Sequence, residues 1–132
     1  PNGAGKSTTF NLVTGKFPRS SGKIELLGAE IEQCGYNEYQ EIGICPQNDF
    51  IWERLSVEEH LRLFGMIKGL QGDALAANVR FFCEDLELTQ YMNKMAINLS
   101  GGNKRKLCIA CSLIGSPLLQ FFDEPSSGVD PV

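Results

Sequence analysis

A run of small residues ahead of a single lysine lies near the start of the chain. Residues 3–8 read Gly-Ala-Gly-Lys-Ser-Thr, and Gly5, Lys6 and Ser7 fill the last three places of the pattern G-x-x-x-x-G-K-[ST]. In that pattern, backbone N–H groups surround a polyphosphate, the lysine reaches its outer phosphates and the serine hydroxyl binds Mg²⁺. The bland alternative is a flexible glycine-rich turn with a solvated Lys6. The run continues directly into a helical pattern, so the sequence favours nucleotide binding.

Two acids follow an apolar run near the other end of the chain. Residues 118–122 read Leu-Leu-Gln-Phe-Phe and are followed by Asp123 and Glu124. Such a run is typical of a parallel strand buried on both faces. Ligands bind at the carboxyl ends of parallel strands, so Asp123 is predicted to hold Mg²⁺ and Glu124 to activate the attacking water. Taken alone, the pair would be better explained as two solvated acids before a proline turn, and the phosphate loop in the same chain makes that the minor interpretation.

A third segment breaks a local rule of helix composition. Residues 99–107 read Leu-Ser-Gly-Gly-Asn-Lys-Arg-Lys-Leu, which puts three cations in the first turns of a predicted helix, where acids are preferred. The Ser100 hydroxyl, bare backbone N–H groups and these cations (Lys104, Arg105 and Lys106) suggest a second anion-binding corner. The alternative for the cations alone is an exposed basic helix start. One chain does not need two corners for one phosphate, so we expect this one to close over a nucleotide held by another domain.

Composition argues against a nucleic-acid-binding, membrane-spanning or disulfide-rich protein. The 132 residues are 42% hydrophobic and 21% charged, with a net charge of -4, which argues against nucleic acid as the main partner. The apolar runs are shorter than the roughly 18 residues of a membrane span. Five scattered cysteines indicate a reducing compartment rather than a disulfide framework. Cys108 and Cys111 could form a redox pair, but their helical apolar setting favours core packing.

These residues need an α/β scaffold to bring them together. Ser56 and Glu59 form a capping box before an apolar helical pattern. His60, beside that apolar face, is predicted to be a packing residue. Helical spacing elsewhere and short apolar runs predict the remaining elements. The predicted helices cover residues 6–15, 56–68, 75–86 and 100–115, and the predicted strands cover residues 23–28, 42–45 and 118–122.

The motifs occur in an order that resembles one family. Residues 3–8, Gln47 after a strand, residues 99–103, the acids at 123–124 and the run Ser-Gly-Val-Asp-Pro at 127–131 follow one another. Together they resemble the nucleotide-binding domain of ATP-binding cassette (ABC) transporters. The stretches Ile-Gly-Ile-Cys-Pro-Gln-Asn-Asp and Leu-Ser-Val-Glu-Glu-His-Leu are most similar to subfamily A, which is associated with lipid-like substrates.

The resemblance implies a fold, a site and a set of partners. The fold would be a P-loop NTPase (RecA-like) core, residues 1–49 and 116–132, with a helical subdomain at 50–115 that carries the signature motif, the whole truncated at both ends. ATP and Mg²⁺ would be bound and ATP hydrolysed. The implied catalytic residues are Glu124, Gln47 and Lys6, and the implied metal ligands are Ser7, Gln47 and Asp123. The implied nucleotide-binding residues are Asn2, Gly3, Ala4, Gly5, Lys6, Ser7, Thr8, Gln47, Ser100, Gly101, Gly102, Asn103 and Asp130.

A second nucleotide-binding domain and the transmembrane domains of a transporter are the implied partners, which places the domain on the cytoplasmic face of a membrane. Phe50, Ile51 and Trp52 would be candidates for docking the membrane domain, or equally core residues. Asn103 stands where glutamine is commoner, and Ser126 where threonine is. An adenine-stacking aromatic would lie upstream of Pro1 and a switch histidine downstream of Val132, so the isolated chain is expected to hydrolyse ATP weakly or not at all.

Other classes of protein explain less of the pattern. Asn93 and Lys94 suggest a guanine-reading motif, but Ala96 replaces its acid, which argues against a small GTPase. A small-molecule kinase would not explain residues 99–103. A chromosome-maintenance ATPase would need a long coiled coil in the middle of the chain. Soluble cassette ATPases unattached to a transporter, and a degenerate ATP-binding regulatory module, remain as alternatives.

Overall fold

The structure is a computed structural model that describes residues 5–123, and these form two compact units. The first unit ends at Tyr39 and the second begins at Gln40. Each unit is considered by itself. The predicted division into an ATPase core and a helical subdomain remains a prediction.

The first unit begins with a short helix and a small hairpin. Helix α1 spans Lys6–Val13, so it ends two residues earlier than predicted. Strands β1 (Glu25–Leu26) and β2 (Ala29–Glu30) pair antiparallel. Leu27 and Gly28 between them both have positive φ, as a two-residue hairpin turn with matching twist requires. The strand predicted over residues 23–28 is longer than β1, and its partner β2 was not predicted.

A 3-10 helix at Ile31–Gln33 follows the hairpin, and helix α2, Tyr36–Gln40, lies at the boundary between the units. The second unit is built on two parallel strands. Strand β3 spans Ile42–Cys45, as predicted, and pairs with β4, Leu119–Phe122. Ile42 is opposite Leu119 and Cys45 is opposite Phe122. The carboxyl ends of both strands therefore lie at one edge.

Three α-helices lie in the described part of the second unit: α3 (Val57–Ile67), α4 (Gly72–Asp85) and α5 (Gly101–Leu113). Two 3-10 helices, Thr89–Tyr91 and Ala96–Asn98, lie between α4 and α5. The predicted capping box is confirmed, because Glu59 N–H donates to Ser56 Oγ at 3.1 Å and Ser56 N–H donates to Glu59 Oε2 at 2.7 Å. Helix α3 packs against α4 and α5, and α5 packs against β3. The core between them is apolar, and its most deeply buried members include Val57, Leu61, Cys83, Leu88, Leu107, Ala110 and Ile114.

Two sequence-based expectations about packing have different outcomes. Cys108 and Cys111 are buried, as core packing requires, and burial raises the pKa of the Cys108 thiol to about 12. A thiol held protonated in this way is a poor nucleophile. The prediction that β4 is buried on both faces is wrong, because Gln120 and Phe122 are exposed. Within residues 40–123, α5 packs on the sheet at β3, so one side of β4 is left uncovered.

Candidate functional site

The predicted phosphate loop leads into the start of α1. Gly5 precedes the helix with φ 84°, ψ 10°, a left-handed conformation that glycine adopts without steric cost. Lys6, Ser7 and Thr8 form the exposed first turn. In the part of the chain that the structure describes, no side chain caps this turn, and the turn contains no acid. Its N–H groups and positive dipole end are therefore suited to an anion. The predicted residues Asn2, Gly3 and Ala4 lie outside the described residues.

Gln47 and Asp123 follow the two parallel strands at the same edge. Asp123 comes directly after β4, and its N–H donates to Cys45 O at 3.0 Å, which continues the ladder past the last paired residues. Gln47 lies two residues beyond β3 and is exposed, while Asp123 is half-buried. The structure thus brings together two of the predicted site residues. Glu124 and Asp130 lie outside the described residues.

A buried arginine links this edge to α5. Arg105 is 2% exposed. Its Nη1 donates to Pro46 O at 2.7 Å and to Gln47 O at 3.3 Å, and its Nη2 donates to Asp123 O at 3.4 Å. Asp49 Oδ1 lies 3.6 Å from Nη1 and also accepts from Cys108 Sγ at 3.4 Å. One guanidinium therefore contacts the backbone at both strand ends.

These contacts correct the prediction for the three cations of α5. Arg105 points into the protein and binds carbonyl oxygens, and Lys106 Nζ pairs with Glu87 Oε2 at 2.7 Å. Arg105 does not belong to an anion-binding corner, because its donors bind internal carbonyl oxygens, whereas Lys106 is paired with a carboxylate on the surface. A buried guanidinium needs acceptors around it, and the carbonyls after β3 and β4 supply them. Lys104, which is half-buried, is the cation that stays a candidate.

The corner itself is formed by the start of α5. Ser100 is the N-cap, and its Oγ accepts from Asn103 N–H at 3.2 Å. A Cβ added at Gly101 or Gly102 would meet no atom of the described chain within 4 Å, and neither residue has positive φ. Gly43 differs, since a Cβ there would lie 2.2 Å from Ser112 O. Folding of the described residues explains the glycine at 43 but not the glycines at 101 and 102.

The donor set at the strand edge fits Mg²⁺, which prefers hard oxygen ligands and retains several waters. Gln47 and Asp123 offer amide and carboxylate oxygens at one edge, and both have some access to solvent. The third predicted ligand, Ser7, lies at the first turn of α1. No group of three or more His, Cys, Asp or Glu residues that could hold a metal occurs in residues 5–123.

An aromatic group lies on the segment just after Gln47. Trp52 is 51% exposed and stacks on His60 at 5.9 Å between ring centroids, while Phe50 packs edge-on to Phe64 at 5.5 Å. Phe50 and Ile51 are partly buried against the core. Of the three predicted docking candidates, Trp52 has the exposed side chain. His60 is fully buried, in agreement with its prediction as a packing residue.

Sequence reasoning missed Arg105 and Asp49 as members of the site. A weak signal was present, because Arg105 lies three residues before Cys108 and seven before Ser112, and all three are buried on α5. Helical spacing of this kind marks the inward face. The sequence does not indicate which backbone groups would accept from the guanidinium.

The comparisons with known proteins agree with this fold. A family model described as "ABC transporter" matches residues 1–127. A solved structure titled "Structure of ATP binding subunit of ABC transporter" superposes with a TM-score of 0.89 at 30% identity, over 99% of this chain and 55% of that one. The predicted α/β fold of the P-loop NTPase class is thereby confirmed. No helix in residues 5–123 has the length and apolar character to cross a membrane.

Two relatives indicate the subfamily of ABC transporters that the chain is most similar to. "ABC transporter A family member 2" from Arabidopsis thaliana is 45% identical over an alignment of 134 residues that covers 100% of this chain and 14% of that protein. "ATP-binding cassette sub-family A member 2" from Homo sapiens is 41% identical over 130 residues, 98% of this chain and 5% of that protein. The chain belongs to the ABC transporter family, and the predicted resemblance to subfamily A is confirmed. It spans a small part of the relatives it matches.

Proposed function

We propose that this chain is the ATP-binding and ATP-hydrolysing part of a transporter, and that it drives movement of a substrate across a membrane. The observation that carries the proposal is the meeting of Gln47 and Asp123 at the carboxyl edge of β3 and β4. Nucleotides bind at this edge of parallel α/β sheets. The open first turn of α1, after the left-handed Gly5, supports a phosphate site at Lys6 and Ser7.

The proposed roles follow from the chemistry of each side chain. Lys6 neutralises the outer phosphates, and the backbone N–H groups of residues 3–8 hold the polyphosphate. Bound Mg²⁺ would neutralise phosphate charge, and Asp123, Gln47 and Ser7 would orient it. Glu124 accepts a proton from the attacking water, and such general-base help is worth about 10²- to 10⁴-fold in rate.

The corner at Ser100, Gly101 and Gly102, together with Asn103, is proposed to meet the nucleotide of a second domain. Support comes from the two glycines, since the described chain leaves open space where their Cβ atoms would lie. Backbone N–H groups without side chains admit close approach of an anion. Two such domains would enclose two nucleotides head to tail, and Asp130 is proposed to lie between the two sites.

Membrane coupling is proposed through the segment after Gln47. Exposed Trp52 presents a large apolar surface five residues after Gln47 in the sequence, and an exposed aromatic of this kind suits a protein interface. The partner would be the membrane domain of the same transporter, with this chain on the cytoplasmic face. A lipid-like substrate is proposed only because the sequence resembles subfamily A.

The phosphate assignment is tested in the full-length protein by replacing Lys6 with Ala. We expect tight ATP binding to be lost, because the point charge on the outer phosphates is removed. Lys16→Ala is the matched control, since Lys16 is another exposed lysine of the first unit, and it should bind ATP as the wild type does. ATP affinity that is unchanged in Lys6→Ala would refute the assignment.

A further inference from the structure

The guanidinium of Arg105 is surrounded by acceptors from two separate parts of the chain. Two of them, Pro46 O and Gln47 O, lie after β3, and the third, Asp123 O, lies after β4. Asp49 adds a carboxylate at 3.6 Å, and that side chain is 38% exposed. Pro46 and Arg105 are 59 residues apart in the sequence. The contact is therefore a tertiary link and not a feature of local helix structure.

The contacts between Arg105 and the strand ends resist separation, because the guanidinium is buried and charged. A buried charge that loses its partners is strongly unfavourable, so a displacement of α5 should shift Arg105 and its acceptors together. Arginine also presents five N–H donors in a fixed planar fork. The acceptors at Pro46, Gln47 and Asp123 are backbone carbonyls, so the guanidinium contacts the backbone that carries the Gln47 and Asp123 side chains.

Helix α5 begins at the corner formed by Ser100, Gly101 and Gly102. Ser100 is its N-cap, and Arg105 lies about 7.5 Å farther along the helix at about 1.5 Å per residue. A displacement of Ser100 and Gly102 is thus carried by the helix to Arg105, and by Arg105 to both strand ends. The path consists of one helix and one side chain.

We propose that Arg105 is a positioning residue that couples the Ser100–Gly102 corner to Gln47 and Asp123 of the same chain. The inference rests on the proposed function and deepens it. When the corner engages the nucleotide of the partner domain, Arg105 aligns the groups that serve the chain's own nucleotide. Nucleotide binding at one site then changes the alignment of side chains at the other. Arg105 itself does not contact ATP in this proposal.

Steady-state ATP hydrolysis by the full-length protein tests this role. Arg105→Met keeps a long buried side chain and removes every donor, whereas Arg105→Lys keeps the charge and loses the planar fork. We expect kcat of Arg105→Met to fall by about tenfold to a hundredfold, because small misplacements of catalytic groups are that costly, while KM for ATP stays near the wild-type value. Arg105→Lys should be intermediate.

Leu107→Val and Leu107→Ala are the controls for destabilisation, because Leu107 is fully buried on the same helix and contributes no polar contact. They should lower thermal stability with kcat, per folded protein, close to wild type. The proposal is overturned if kcat in the Arg105 variants follows thermal stability along the same line as in the Leu107 variants. If Arg105→Met gives no folded protein, wild-type kcat in Arg105→Lys overturns it equally.

A double-mutant cycle gives the second readout. If Arg105 acts through Gln47, the Arg105→Lys effect on kcat should be smaller in a Gln47→Ala background than in the wild type. The same cycle is run with Asp123→Ala, and effects that multiply fully in both backgrounds would show that Arg105 acts through neither residue and would overturn the proposal. Failure of the proposed function is seen separately, as unchanged ATP binding in Lys6→Ala.

Discussion

His60 Nε2 accepts a hydrogen bond from the backbone N–H of Trp52 at 2.9 Å. The other ring nitrogen, Nδ1, lies 2.7 Å from Ser56 O. A carbonyl oxygen only accepts, so Nδ1 carries the proton and Nε2 has the free lone pair. The neutral imidazole therefore joins the segment that follows Gln47 to the N-terminus of α3. This join depends on the protonation state of one buried ring.

Lowering the pH should break the hydrogen bond from the Trp52 N–H to His60 Nε2. Burial lowers the pKa of His60, so the unfolded segment binds a proton more readily than the folded one. The stabilisation is present above the ordinary histidine pKa of about 6.5 and is lost as pH falls from there through the lower pKa of the folded state. We expect the Trp52 amide to exchange hydrogen faster at pH 5 than at pH 7.5, after correction for the intrinsic rate.

Hydrogen-exchange mass spectrometry of the peptide that contains Trp52 makes the measurement. His60→Phe is the matched variant, because it keeps an aromatic ring against Trp52 and removes the acceptor. It should exchange quickly at both pH values, with no remaining pH dependence. Equal protection of the wild type at the two pH values would contradict the role given to His60.

Alanine at two glycines should separate folding from function. At Gly43 the added Cβ would lie 2.2 Å from Ser112 O and 2.9 Å from Pro117 Cγ, so Gly43→Ala should cost about 1–3 kcal/mol of stability through overpacking. At Gly102, in α5, the Cβ meets no described atom, and Gly→Ala in a helix stabilises by about 0.4–1 kcal/mol.

The effect on ATP hydrolysis should be the reverse of the effect on stability, and should be larger in Gly102→Ala than in Gly43→Ala. Gly102→Ala places a methyl group where the partner's nucleotide is proposed to approach, so we expect ATP hydrolysis to fall by about a hundredfold, the cost of a misplacement near 1 Å. Thermal unfolding and ATP hydrolysis of the two variants are compared per folded protein. Wild-type turnover in Gly102→Ala would remove the glycine argument for the corner.

Ser100→Asp should distinguish a helix cap from an anion-binding group. Aspartate is as good an N-cap as serine, so α5 should keep its stability. A negative charge near a phosphate is repelled, by about 1–4 kcal/mol at 4 Å for each unit charge near a protein surface. ATP-dependent association of the two domains and turnover should therefore both fall, with ATP binding to one domain retained.

The control for this change is Ser56→Asp, at the N-cap of α3. It makes the same chemical change at a helix start that has no proposed nucleotide contact, and it should leave turnover as in the wild type. If the Ser100 variant also associates and hydrolyses normally, the corner does not face a phosphate.

Glu124→Gln should leave ATP bound while turnover stops. The amide keeps the size of the side chain but cannot accept a proton, so we expect kcat to fall by about 10²- to 10⁴-fold with little change in ATP affinity. Glu84→Gln, at an exposed position of α4, is the control and should hydrolyse ATP normally. Persistent hydrolysis in Glu124→Gln would assign the base to another group.

The sequence by itself determined the features that depend on neighbours along the chain. The capping box at Ser56 and Glu59, the helical spacing of α3 to α5, and strand β3 were all predicted and are confirmed. Each arises from local periodicity or local hydrogen bonding, which a linear sequence displays directly. The ordered motifs indicated the family for the same reason, because a phosphate loop is a contiguous segment. The hairpin partner β2 was missed because two residues carry almost no periodicity.

Only the tertiary structure decided what the buried and crowded groups do. Arg105 looked like one of three surface cations, and its role came from carbonyls 58 and 59 residues away in the chain. Gly43 is crowded by Ser112 and Pro117, and β4 is partly exposed because α5 packs on the sheet at β3. Burial and acceptor geometry are properties of chain segments brought together by folding. A side chain's type and spacing name its possible partners, and packing selects among them.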